Sequence, residues 1–156
     1  VMSMSIDEVY EIYKSEDSVT KPLAAARQVG LGYLIMDQPG RTLSGGEAQR
    51  LKIAVALQKG SNDQVLYILD EPTVGQHLED IQRLVGVLQR LVSEGGSVLV
   101  VEHHPHVLAA CDWLIELGPG GGPEGGRIIA AGNPGTVADQ STPTAPYLRE
   151  ILKELT

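Results

Sequence analysis

The most regular pattern in the chain is an apolar stripe formed by Leu78, Ile81, Leu84, Val85, Leu88, Leu91 and Val92. Its three- and four-residue spacing predicts a long amphipathic helix, closed by Gly95 and Gly96. Runs of a different kind flank it. Residues 65–69 and 97–101 are near-continuous apolar segments, the pattern of parallel strands buried on both faces. Upstream, Ser5 and Glu8 form a capping box ahead of a short helix carrying Val9, Ile12 and Tyr13. Residues 14–20 read as a polar loop. Pro22 then starts a second helix over 23–29, and Gly30 ends it. Residues 30–40 are irregular, with Pro39-Gly40 a turn. From Ser44, the residues Ala48, Leu51, Ala54, Val55 and Gln58 return to helical spacing, with Lys59 and Gly60 as its cationic last turn and stop. Residues 61–64 read as a loop.

Beyond the second strand the pattern predicts a short helix over 107–111 and a third strand over 113–117. A glycine-rich loop over 118–126, an edge strand over 127–131 and terminal helices over 134–139 and 147–155 follow. Strand, long helix, strand, short helix, strand is the layout of an α/β fold with a parallel sheet. The first sixty residues have no strand. The expected division is therefore a helical lobe over 1–60, an α/β core over 61–134 and a helical tail over 135–156.

Composition narrows the function classes. The chain has 156 residues, enough for one ordinary domain, and 42% of them are apolar. Phe is absent, so the core is built from Leu, Val, Ile and Ala. A net charge of −8 argues against a generally basic nucleic-acid or membrane surface, although a local basic patch is compatible with it. A single cysteine, Cys111, rules out an internal disulfide and fits a reducing compartment, so the expected location is cytoplasmic. No apolar run is long enough to span a bilayer.

Three short segments carry candidate chemistry. The strand over 65–69 runs into Asp70 and Glu71, and ligands of open parallel sheets sit at the carboxyl ends of strands. Adjacent carboxylates there fit Asp70 as a Mg²⁺ ligand and Glu71 as the group that polarises an attacking water. A strand that merely ends in an Asp-Glu-Pro turn is an equal alternative on this motif alone. The next strand ends in Glu102 and His103. If the two strands are neighbours, His103 lies beside Glu71. His103, His104, His106 and Cys111 lack the CxxC or i, i+4 spacing of a zinc site, and His104 and His106 read as ordinary loop residues. Ser44 and Glu47 form a second capping box. Gly45 and Gly46 are not needed for a cap, but bare backbone at a helix N-terminus suits a close-approaching anion. The usual phosphate loop ends in Gly-Lys, and that dipeptide occurs nowhere in the chain.

Together these segments resemble one family. LSGGEAQR over 43–50 is similar to the signature sequence of ABC-type ATPases, VLYILDEPT over 65–73 to their Walker B segment, and VLVVEHH over 98–104 to their switch-histidine strand, in the family's order. Within it the flanks resemble the UvrA family, the damage-recognition ATPases of the nucleotide excision repair excinuclease. These flanks are the approach from Gly30 to the signature, the segment following Asp70, and the passage from Cys111 to Gly121. Two departures, Gln76 where an apolar residue is expected and Met36-Asp37 in place of a more apolar pair, point to a divergent member or a drug-resistance paralogue.

The resemblance implies an ABC-type ATPase core with a helical signature lobe and ATP with Mg²⁺ as cofactors. It implies catalysis by Glu71 with His103, and Mg²⁺ held through Asp70. Leu43, Ser44, Gly45, Gly46, Glu47 and Gln49 would cover, in trans, a nucleotide bound by a second nucleotide-binding unit. It places the phosphate loop and a zinc module before Val1, so that this chain is the C-terminal part of the second unit and inactive alone. The sheet would then miss its central strand, and the isolated chain would rearrange, swap or fold poorly. Implied partners are the second unit, a homodimer, the excinuclease component UvrB and damaged DNA contacted by other regions, with no membrane. An export ATPase and a non-catalytic interaction module are the competing functions.

Overall fold

The computed structural model describes residues 1–59, 65–120 and 125–155. Gly60, the loop expected over 61–64 and part of the glycine-rich loop lie outside the described residues. The chain divides into two compact units, Val1–Glu102 and His103–Thr156.

The first unit contains α1 (Ile6–Ile12), α2 (Asp17–Gln28), a 3-10 turn (Gly40–Thr42), α3 (Gly45–Lys59), β1 (Leu66–Asp70), α4 (Leu78–Ser93) and β2 (Ser97–Val101). The capping box of α1 is formed, the Ser5 N–H donating to the Glu8 carboxylate at 2.7 Å and the Glu8 N–H to the Ser5 hydroxyl at 3.2 Å. Helix α2 starts earlier than the sequence pattern predicts and holds Pro22 inside it. Pro22 sits in the second turn, where its missing N–H deprives only the start of the helix. Thr20, Leu23, Ala25 and Ala26, on the buried side of the helix, offset the loss by packing. At its end, Gly30 adopts φ 74°. The Leu31 N–H reaches back to the Ala26 carbonyl and the Gly30 N–H to that of Arg27, both at 3.0 Å. This Schellman closure is open to glycine at little cost.

The parallel pair is as expected: β1 and β2 run side by side, with Leu66 opposite Ser97 and Asp70 opposite Val101. Burial on both faces is not. Leu69 is buried, and Tyr67, Val98 and Val100 pack with it against a core that includes Val9, Val29, Leu31, Ile53, Leu84 and Leu91. The alternate residues Leu66, Ile68, Leu99 and Val101 are exposed. With two strands and helices on one side only, the period-2 alternation decides burial, whatever the residue type. Helix α4 buries Ile81, Leu84, Val87, Leu88 and Leu91 and closes at Gly95-Gly96, with Leu78 and Val92 of the expected stripe at its exposed margins. Helix α3 departs further. Leu51 and Val55 face solvent, while Arg50, Ile53 and Ala54 are buried. The helix has apolar residues all round, so tertiary partners rather than its own periodicity choose the inner face.

The second unit contains α5 (Pro105–Ala110), β3 (Leu114–Gly118), β4 (Arg127–Gly132), α6 (Pro134–Ala138) and α7 (Ala145–Glu154). The third strand does not extend a parallel sheet. It pairs antiparallel with β4, Leu114 opposite Gly132 and Gly118 opposite Arg127. The strand nearest in sequence provides the pairing. Leu114, Ala130, Val137, Ala138 and Leu148 form a small core. Glu116 accepts from both the N–H and the hydroxyl of Thr144, at 3.1 and 2.7 Å, fastening the start of α7 to β3.

Candidate functional site

Within the first unit, the signature segment and the segment after β1 share one hydrogen-bonded framework. Ser44 caps α3: its hydroxyl accepts from the Glu47 N–H at 3.2 Å, and the Ser44 N–H donates to the Glu47 carboxylate at 2.7 Å. The other Glu47 oxygen accepts from the Tyr33 hydroxyl at 2.5 Å. The Tyr33 hydroxyl and the Ser44 N–H hold the Glu47 carboxyl below the ordinary carboxylate value. Burial, followed by the same hydrogen bond, raises Tyr33 above its own. Tyr33 is absent from the sequence-predicted site because the irregular segment that brings it to Glu47 has no periodic signal.

Gly45 is exposed, and a Cβ there would meet nothing within 4 Å. A Cβ on Gly46 would lie 3.4 Å from an Arg50 nitrogen. Packing within the chain therefore does not demand Gly45, whose bare backbone leaves room for an approaching group. Leu43 packs against the core and Gln49 is half-buried on the first turns of α3.

Asp70 and Glu71 stand where expected, exposed at the carboxyl end of β1. Glu71 adopts φ 45° and is the one non-glycine residue in the left-handed region among those described. Its N–H donates to the Val101 carbonyl at 2.9 Å, extending the β1–β2 ladder by one residue. The next carbonyl, that of buried Pro72, accepts from Arg50 Nη1 and from Gln76 Nε2, each at 2.9 Å. Thr73 is buried and donates its N–H, at 3.1 Å, and its hydroxyl to Glu102 Oε1. Gln76, whose polarity stood out in the sequence, thus has a local task. Glu102, a mere strand tip in the sequence, becomes an anchor of the loop.

His103 is exposed and is the first residue of the second unit. His104 is the N-cap of α5, and its ring lies 5.4 Å from that of His106 in the same unit. Cys111 is half-buried, and its burial raises the thiol pKa, which keeps it protonated and weakly reactive. Among the described residues there is no group of three His, Cys, Asp or Glu that could hold a metal ion. Mg²⁺ needs no such group, because it binds through one or two carboxylates and takes its remaining ligands from phosphates and water. Exposed Asp70 at a strand end meets that requirement. Among the described residues no helix is long and apolar enough to cross a membrane.

Comparison with known proteins agrees with this geometry. The family model described as ABC transporter matches residues 2–74. The chain is 45% identical over 157 aligned residues to UvrABC system protein A of Aquifex aeolicus, covering 100% of this chain and 17% of that protein. It is 48% identical over 155 residues to UvrABC system protein A of Listeria monocytogenes, covering 98% of this chain and 16% of that protein. The crystal structure of UvrA2 from Deinococcus radiodurans superposes with a TM-score of 0.86 at 44% identity, over 96% of this chain and 18% of that one. The chain thus spans about one sixth of the length of the curated relatives it matches. With these matches along its length and the signature and Walker B segments in one framework, the chain is a UvrA-like segment of ABC-type ATPase fold.

Proposed function

We propose that this chain is the C-terminal part of the second nucleotide-binding unit of a UvrA-like ATPase acting in nucleotide excision repair. It contributes to two ATP sites. At one, Asp70 holds Mg²⁺ and Glu71 orients and deprotonates the attacking water, with His103 as the switch residue. At the other, Leu43, Ser44, Gly45, Gly46, Glu47 and Gln49 cover the terminal phosphate of a nucleotide held by another unit. The helix N-terminus and bare glycine N–H groups suit that task, and no Gly-Lys in the chain supplies a phosphate loop of its own. Bound Mg²⁺ would neutralise charge developing on the phosphates.

The observation that carries the reading is Glu71 at φ 45°. A non-glycine residue in this region persists only where its surroundings over-determine it, and such residues cluster at catalytic sites. The strained residue directly follows Asp70, the last residue of β1.

The resemblance further assigns a homodimer, the excinuclease component UvrB and damaged DNA bound through other regions as partners, a zinc module elsewhere in the full-length protein, and a cytoplasmic location. A net charge of −8 argues against general contact between this segment and the DNA backbone, in keeping with DNA bound through other regions. In the intact protein, Glu71→Gln should lower the ATP turnover number about 10²-fold or more, as expected for loss of a general base. An unchanged rate would remove Glu71 from the mechanism. By the same reading, this chain alone should bind no Mg²⁺–ATP in calorimetry.

A further inference from the structure

We propose that Glu102 is a positioning residue for Glu71, acting through Thr73; the role rests on the ATPase reading above. The last residue of β2 and the residue after it hold the loop after β1 link by link. The Val101 carbonyl accepts the Glu71 N–H at 2.9 Å. One residue on, Glu102 Oε1 accepts both the N–H and the hydroxyl of Thr73. Between these anchors, the Pro72 carbonyl is held by Arg50 and Gln76. Three consecutive residues are thereby fixed, and the first of them is the residue at φ 45°.

The chemistry explains why a carboxylate stands at position 102. Thr73 is 6% exposed, so water offers its N–H and hydroxyl no ready alternative, and an unpaired buried donor is strongly unfavourable. Both donors converge on one oxygen. An ionised carboxylate oxygen accepts two bonds and makes each of them charge-assisted. The backbone at Glu71 has no glycine freedom, and without this latch it would relax toward negative φ. The Glu71 carboxylate would then leave the position from which it addresses the water, while Asp70, inside the β1–β2 ladder, would keep its place. Glu102 therefore serves turnover rather than nucleotide affinity.

The test is steady-state ATP hydrolysis by the intact protein carrying this chain, with Glu71→Gln as the reference. Glu102→Ala and Thr73→Val should each lower kcat about 10- to 100-fold with KM changed by less than about twofold. Thr73→Ser and Glu102→Gln, which retain a hydroxyl and an acceptor oxygen, should stay within about threefold of wild type. The double variant Glu102→Ala/Thr73→Val should be no slower than its slower parent, because both remove one latch. An unchanged kcat in Glu102→Ala beside a collapsed kcat in Glu71→Gln would overturn the positioning role alone. So would Thr73→Ser or Glu102→Gln falling as far as the disruptive variants, or a rise in KM that tracks a loss of thermal stability. A wild-type rate in Glu71→Gln would overturn the ATPase reading and the positioning role together.

Discussion

Arg50, only 3% exposed, donates through its guanidinium to the Pro72 carbonyl at 2.9 Å. This bond joins the signature helix to the loop carrying Glu71 across 22 residues of sequence. Its charge also acts favourably on Glu47, lowering that carboxyl further. A buried cation thus serves two segments that would contribute to two different ATP sites.

The Pro72 carbonyl has a second donor in Gln76, and this redundancy makes a prediction. Gln76→Ala should cost about 1 kcal/mol, because Arg50 still satisfies the carbonyl. Arg50→Ala should cost about 2–4 kcal/mol, since it also empties a packed site. The double variant should lose more than the sum by about 0.5–3 kcal/mol, as only then is the buried carbonyl orphaned. Urea unfolding of the four proteins measures the coupling, and strict additivity would show that the two donors do not share one acceptor.

The Tyr33–Glu47 bond predicts a pH dependence with a definite sign. Glu47 is held below its ordinary 4.5, chiefly by the Tyr33 hydroxyl and then by the Ser44 N–H. Its ionised form therefore stabilises the fold fully above that ordinary value, and the contribution disappears as pH falls through the lowered one. Tyr33 is raised above 10.0, first by burial and then by the hydrogen bond to Glu47, so the stability that goes with its protonated hydroxyl is fully present below 10.0 and is lost as pH climbs through the raised value. Tyr33→Phe should destabilise the chain by about 0.5 kcal/mol at neutral pH, a low figure because the pair faces solvent. As pH falls below 4.5 and on through the lowered Glu47 value, its melting temperature should converge on that of the wild type. A gap that stays constant across the whole acid titration of the native protein would contradict this account.

What could be read from the sequence was local. Both capping boxes lie within four residues, and Ser5–Glu8 and Ser44–Glu47 form as their spacing predicts. The stripe on α4 is clear because one face is consistently apolar. The partners of Thr73 and Pro72 are another matter. Glu102 is 29 residues from Thr73, and Arg50 is 22 from Pro72. Such pairs have no periodicity to announce them, and Tyr33 reaches Glu47 from an irregular segment. Helix α3 misleads because apolar residues surround it, and Arg50 goes inside for the sake of one carbonyl. Pro22 misleads because position alone says helix start, whereas packing of its neighbours carries the helix through it.

The strands offer the sharpest separation of residue type from environment. Leu69 and Ile68 are adjacent, apolar and similar in size, yet they are 5% and 65% exposed. A reading that treats the run as uniformly buried assigns them equal weight, whereas the alternation assigns nearly all of it to Leu69. Leu69→Ala should therefore cost about 2–5 kcal/mol, the range for a core leucine whose cavity does not collapse. Ile68→Thr keeps a β-branched side chain in the strand while removing exposed apolar area, so it should change stability by less than about 0.5 kcal/mol. Leu99→Thr, on the neighbouring strand and the same open face, should behave alike. Urea unfolding of the chain measures all three, and binding of an apolar dye should fall in the two threonine variants because the open face is less greasy. If Ile68→Thr instead cost as much as Leu69→Ala, the outer face would be covered in the folded chain, and burial on both faces would be the better description of this strand after all.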